Sequence, residues 1–421
     1  MKTQSFGFAA LLFAGALVLG FCNNTKAQSY ELSPVWSIPA ETPGYDWIFT
    51  NSTQRGLAYN AATGNLLTTS RYPATNAAVY IHASSDGTHL GNLSTVNVFA
   101  DINFPLNMIA VADDGVIYAC NLTIDSAHAD IIGNTGPFRL YRWANESAEP
   151  TVAYVGDPSD EDEILNHRRF GDSLSVRGSG VDTEILVGTR AGRIVIRFTT
   201  ADGTNFAPQK ISAPDLTAVN NTMTIAFGSG NTFWIKSQIN ATLRPLQHFS
   251  FDPVTTNAIL IQNYTNAVFV GGPLGFDAAR NLLGLIDTIG HELRLFKVTE
   301  SGLIQQGTTH SLGINRNGNS TGAVAFSNNR VFVLDTDNGI TAFNLTSTPL
   351  VPFSTSVSAQ TGEVTVSWQS QAGIAYQVQY KDDLAQSSWM NFGEATNGTG
   401  ATISISDPVG IGAKFYQIRA E

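Results

Sequence analysis

Residues 322–345 read GAVAFSNNRVFVLDTDNGITAFNL, three short apolar strands separated by the turn pairs Asn328-Asn329 and Asn338-Gly339. Asn-Gly supplies the positive φ that a tight hairpin turn requires, so the stretch folds back on itself as an antiparallel meander. It has the pattern of one β-propeller blade that lacks its outer strand. Near the other end of the chain, Pro34-Val35-Trp36-Ser37-Ile38 is an apolar strand with no hairpin partner close by. Pairing that strand with the last blade would remove an open sheet edge and tie the two ends of the domain together.

The same unit recurs upstream. A short apolar strand, a turn and a second apolar strand start at Leu57, Ile109, Leu174, Ile225, Leu274 and Val324, advancing by 52, 65, 51, 49 and 50 residues. That interval fits a four-stranded blade. Second hairpins follow, with Val79-Tyr80-Ile81 leading to Asp86-Gly87 and Ile194-Val195-Ile196 leading to Asp202-Gly203. The expectation is an all-β chain: a six-bladed propeller over 28–348, closed by its N-terminal strand. A pair of β-sandwiches and a seven-bladed ring with one degenerate blade are the alternatives. After Pro349, alternation at Val364, Val366 and Trp368, and again at Tyr376, Val378 and Tyr380, predicts a small β-sandwich over 349–421 with one buried face per strand. Trp368 sits among the alternating apolar positions and is expected in that core rather than on a sugar-stacking surface.

Residues 1–27 have the pattern of an export signal: Lys2, an apolar run from Phe6 to Phe21, and Thr25-Lys26-Ala27 as a small-residue cleavage site. The mature chain is expected to begin at Gln28 and to reside in the periplasm or outside the cell. Bulky Phe21 argues against lipidation of Cys22. Cleavage removes Lys2 and Lys26 and no acid, so the formal charge of −11 becomes −13. Nucleic acid and anionic membrane surfaces are poor partners for so acidic a chain. No later apolar run is long enough to span a bilayer. Cys120 is left without an internal disulfide partner, and its place in an apolar strand predicts burial rather than reactivity.

The run 169–180, RFGDSLSVRGSG, followed by Ile185-Leu186-Val187-Gly188 and 199–203, TTADG, resembles a family of exported bacterial propellers catalogued as a domain of unknown function. The resemblance covers most of residues 30–345 and implies no known activity. The blades also resemble, more loosely, propellers of the NHL type, although the Asn-Arg-Ile signature of those repeats is absent. Val366-Ser367-Trp368, 376–384 (YQVQYKDDL), Trp389 and Phe415-Tyr416 are similar to the fibronectin type III-like modules of planctomycete and verrucomicrobial secreted proteins. This similarity implies an extracytoplasmic accessory module.

In a propeller, the loops between blades and those joining second to third strands emerge on one face. Both are longest around the second and third repeats, which predicts that 121–137 and 156–172 are neighbours there; loops of this length are often functional. The second loop carries Asp157, Asp160, Glu161, Asp162 and Glu163, then His167, Arg168, Arg169 and Asp172. The acids have no EF-hand spacing and read as a solvated loop. Arg169 and Asp172 immediately precede an innermost strand and should face the channel mouth. Tyr45, Trp47, Arg55 and Arg316 hold comparable inter-blade positions, and with His167 they complete the set of binding candidates. Gly318-Asn319-Ser320-Thr321-Gly322 has the Gly-x-Ser-x-Gly spelling, but it leads into an apolar strand and is no strand-to-helix elbow, and no His-Glu-x-x-His spacing occurs. Ser84-Ser85-Asp86-Gly87-Thr88 comes near the sialidase box, but its glycine follows the aspartate directly, as in a hairpin turn. The expectation is therefore a secreted non-catalytic binding or scaffold protein for a glycan or protein partner, with no catalytic residue, metal or cofactor. The alternative is a glycoside hydrolase or lyase with carboxylates in the funnel.

Overall fold

The computed structural model describes residues 28–72, 77–98, 104–126, 136–159, 169–189, 194–216, 223–237, 245–265, 271–299, 302–349, 353–358, 363–372, 374–383, 386, 388–408 and 414–420. The chain divides into two compact units, one spanning Tyr30–Ser347 and the other containing Thr348–Glu421. Among the described residues the structure is β throughout, apart from a single 3-10 turn at Gly180–Asp182. No helix among them is long and apolar enough to cross a membrane.

The first unit holds six four-stranded antiparallel sheets. The first runs Gln54–Asn60, Asn65–Ser70, Ala78–Ala83, His89–Asn92. The second runs Met108–Val111, Ile117–Cys120, Phe138–Trp143, Thr151–Gly156. The third is Ser175–Arg177, Glu184–Gly188, Ile194–Thr200, Phe206–Ser212. The fourth is Met223–Phe227, Thr232–Ser237, Leu246–Phe251, Ala258–Tyr264. The fifth is Gly271–Asp277, Leu282–Asp287, Glu292–Thr299, Gly302–Ser311. The sixth takes Gly322–Phe326, Arg330–Asp335 and Gly339–Pro349 from the end of the unit, and its fourth strand is Gln28–Pro39.

Strand alternation explains how these sheets stack. In the second strand of the sixth sheet, Val331 and Val333 pack against Leu282, Ile286 and Leu293 of the fifth. Phe332 and Leu334 point the other way, towards Leu57, Leu66 and Tyr80 of the first. A strand buried on both faces needs apolar residues at consecutive positions, which is why Val331 to Leu334 is continuously hydrophobic. The same two-sided burial recurs around the unit, giving one core cluster between each successive pair of sheets. The leading strands touch their neighbours in cyclic order, first sheet to second and onward, with the sixth returning to the first. The arrangement is propeller-like.

Close approach of the leading strands selects small residues. The middle positions of the six apolar triplets are Ala58, Ala110, Ser175, Ala226, Gly275 and Ala325, and all six line a central cavity of about 810 Å³. At Gly275 a Cβ would lie 2.2 Å from the Val324 carbonyl oxygen, so the backbones can meet only without a side chain there.

In the second unit, Phe353–Ser358, Glu363–Gln369 and Thr402–Pro408 form one antiparallel sheet. Ala375–Lys381 pairs with Met390–Asn391, Thr396–Asn397 and Phe415–Ala420 in another. Val366 and Trp368 from the first meet Tyr376, Val378 and Ile418 from the second in one shared core. Trp368 is fully enclosed there.

Candidate binding site at the loop face

Because each sheet is an antiparallel meander, its inter-sheet loops and its second-to-third-strand loops emerge at the same end. The described parts of 121–137 and 156–172 meet there, as the loop lengths predict. Thr123 and Phe170 exchange backbone hydrogen bonds of 3.0 and 3.2 Å, and Ser126 Oγ donates to Asp157 Oδ1 at 2.6 Å. At Gly171, with φ +97°, a Cβ would fall 1.9 Å from the Asn121 carbonyl oxygen, so only glycine lets the loops close this tightly.

Asp172, 3% exposed, sits at the base of this contact. Arg169 grips it with both arms of its guanidinium, Nε to Oδ2 at 2.7 Å and Nη2 to Oδ1 at 3.1 Å. Such a fork is the strong form of the ion pair. Burial alone would lower the pKa of Arg169, but the charge and hydrogen bonds of Asp172 outweigh it and raise it.

Arg55 enters from the first sheet. It falls where the register shifts between Gln54 and Gly56, a bulge that re-aims the side chain. Arg55 is 7% exposed, and its Nε donates to the Ser52 carbonyl at 2.7 Å. Ser52, itself at φ +56°, is held by Asp337, whose carboxylate accepts from its backbone N at 2.5 Å and its Oγ at 2.8 Å. Burial lowers the pKa of Arg55; Asp172 opposes that shift and Arg169 adds to it, so the three charges lie within electrostatic reach of one another.

Arg71, from the loop after the second strand of the first sheet, was not among the sequence candidates. Its Nη2 lies 3.4 Å from the Ser52 carbonyl, and its guanidinium stacks on the Phe104 ring at 4.3 Å. Its Nε and Nη1 are covered and have no hydrogen-bond partner. Burial, with Arg55 beside it, pushes the pKa of Arg71 down to about 9. Arg71 belongs to the same class of second-to-third-strand loop as 121–137, the signal by which the sequence could mark it, but its loop is short. Asn107, preceding the leading strand of the second sheet, donates through Nδ2 to the Gly171 carbonyl at 2.6 Å, while its Oδ1 is buried and unpartnered.

The two aromatic candidates turn to the core instead. Trp47 stacks on Tyr80 at 4.1 Å and Tyr45 on His82 at 6.2 Å, in or against the core shared by the sixth and first sheets. Arg316 is exposed on the loop before the sixth sheet. His167, with Asp160 to Arg168, lies outside the described residues. Elsewhere on the loop face, Asp335 accepts from Asn317 Nδ2 at 2.6 Å and Asn338 Nδ2 at 2.7 Å, with His291 Nδ1 at 3.2 Å. Burial raises its pKa to about 6.

No family model matches this chain, and no curated protein matches it. Among solved structures, it is similar to a DUF4623 family protein from Bacteroides eggerthii, with TM-score 0.53 and 14% identity over 75% of this chain and 77% of that one. This similarity extends to the fold: a propeller-like architecture shared with a family of unknown function. An aldose sugar dehydrogenase from Streptomyces coelicolor matches at TM-score 0.44 and 11% identity, covering 76% of this chain and 100% of that one. An auxiliary nutrient binding protein from Bacteroides thetaiotaomicron matches at TM-score 0.43 and 10% identity, covering 70% and 69%.

Proposed function

We propose that the chain is an exported, non-catalytic binding or scaffold protein. In this reading, residues 28–348 are a six-bladed β-propeller closed by its N-terminal strand, and 349–421 are a fibronectin type III-like spacer. The loop face of the propeller engages a glycan or a protein partner, with Arg55, Arg71, Arg169 and Asp172 at the centre of the contact. Support comes above all from the state of the cluster: its carboxylate is already consumed by a bidentate arginine, whereas guanidinium donors remain unspent. A general acid or base needs a carboxyl group free to exchange a proton with substrate. Asp172 and Asp337 are instead committed to Arg169 and Ser52.

A hydrolytic reading draws on one observation, that the charges of Asp172 and Asp337 both act on Arg55. Two carboxylates facing across a funnel are the glycosidase arrangement. A glycan array and a reducing-sugar assay on the folded mature protein, with Arg169→Ala and Asp172→Ala beside it, separate the two. Retention of an intact glycan, weakened in both variants, supports binding. Sugar release abolished by Asp172→Ala would replace this reading with the hydrolytic one. Retention of neither a glycan nor a protein partner would refute it.

A further inference from the structure

We infer that Arg55, Arg71 and Arg169 form an oxyanion seat that takes the carboxylate or sulfate group of an acidic saccharide; the inference rests on the binding reading above and gives it a ligand class. The cluster brings three guanidinium groups together with two carboxylates. Asp172 is spent on Arg169 and Asp337 on Ser52, and Asp337 reaches Arg55 only through its field. The Arg71 guanidinium makes only one long hydrogen bond, to the Ser52 carbonyl, and two of its nitrogens are buried without an acceptor.

Covered donors without acceptors are costly, and so is a buried charge without a counter-charge. An anion with several lone pairs in a plane or tetrahedron relieves both costs, and arginine forks suit carboxylate and sulfate oxygens. Burial and the neighbouring Arg55 hold Arg71 well below the usual arginine range, and the opposing charge of Asp172 does not make up the difference.

The surroundings favour a sugar bearing the anion over a bare ion. Phe104 walls one side of Arg71. Tyr72, the next residue, stacks on Phe49 at 4.8 Å, and both rings are half-buried, offering an apolar edge to sugar C–H groups. The unpartnered Oδ1 of Asn107 is an acceptor of the kind a hydroxyl would meet. The chain as a whole is acidic, so general attraction to polyanions is suppressed and binding depends on the local cluster.

The test is titration calorimetry on the mature protein with four probes: a uronic acid trisaccharide, its methyl ester, a sulfated disaccharide and inorganic sulfate. At least one acidic saccharide is expected to bind tenfold or more tightly than the ester. Arg71→Gln should remove that preference, and Arg71→Lys should not restore it, because an ammonium cannot present two parallel donors. Arg71→Met checks folding: it should melt no lower than wild type while losing acid recognition. Equal binding of acid and ester, or binding only of neutral glycans, would overturn the seat while leaving the binding reading intact. Failure of both acidic saccharides to bind would overturn it, as would inorganic sulfate binding as tightly as either.

Discussion

Removing residues 28–39 should cost the first unit most of its stability. This strand is the outer strand of the sixth sheet, and it buries Tyr30, Leu32 and Ile38 at 3%, 9% and 4% exposure. At about 1.5–3 kcal/mol for each buried apolar side chain, these three contribute about 5–9 kcal/mol. Trp36 adds to this, half-buried and donating from Nε1 to the Ser84 carbonyl at 3.1 Å. A domain's whole margin is about 5–15 kcal/mol, so the loss is comparable with the total. Gly339→Ala probes the same docking with one methyl group: at φ +109° its Cβ would lie 2.1 Å from the Ile38 carbonyl oxygen, and such strain costs about 1–3 kcal/mol. Urea unfolding of proteins starting at residue 28 and at residue 40, followed by circular dichroism, is the assay. The shorter chain should lose its cooperative transition or show a much lower midpoint, and a synthetic 28–39 peptide should partly restore it. Unfolding of both chains at the same urea concentration and slope would refute the closure argument.

Three further outcomes follow from the packing. His82 is fully buried, and burial pushes its pKa down to about 4 from 6.5; the unfolded chain therefore takes up its proton first, and stability falls as pH drops from 6.5 towards 4, by up to about 3 kcal/mol. His82→Gln should flatten that slope in urea midpoints measured at pH 7 and pH 4.5, and an unchanged slope would refute the assignment. Gly275→Ala should destabilise by about 1–3 kcal/mol through backbone overpacking, whereas Gly318→Ala, with open space around its Cβ position, should be near neutral; equal melting temperatures would argue against close approach of the leading strands. Trp368→Ala should cost about 3–5 kcal/mol in the isolated 349–421 segment, provided that segment first shows a cooperative transition of its own; a small loss would mean that the tryptophan is not core.

Much of the architecture was legible because its causes are local. Asp86-Gly87 and Asp202-Gly203 turn the chain wherever they occur, and both glycines do take positive φ. The triplets around Ala58, Ala110, Ser175, Ala226, Gly275 and Ala325 combine a strand period with a small centre, and that centre is required wherever leading strands converge. Burial of Cys120 followed from its place in an apolar strand, and that of Trp368 from alternation. Inter-repeat position placed Tyr45 and Trp47 at the mouth, yet the structure stacks them on His82 and Tyr80. Large aromatic rings gain more from flank burial than from an edge position, and nothing local shows where that flank lies.

By itself, the sequence determined the β content, the repeat and its period, the turn positions and the faces buried within each strand, since these depend on neighbours a few residues away. Only the tertiary structure decided that Arg55 and Arg71 of the first sheet face Arg169 and Asp172 ahead of the third. It also decided that Asp172 would be claimed by one arginine while two nitrogens of another were left without an acceptor. Desolvation and charge pairing depend on everything within several ångströms, whatever its distance along the chain, and that neighbourhood exists only once the sheets have closed into a ring.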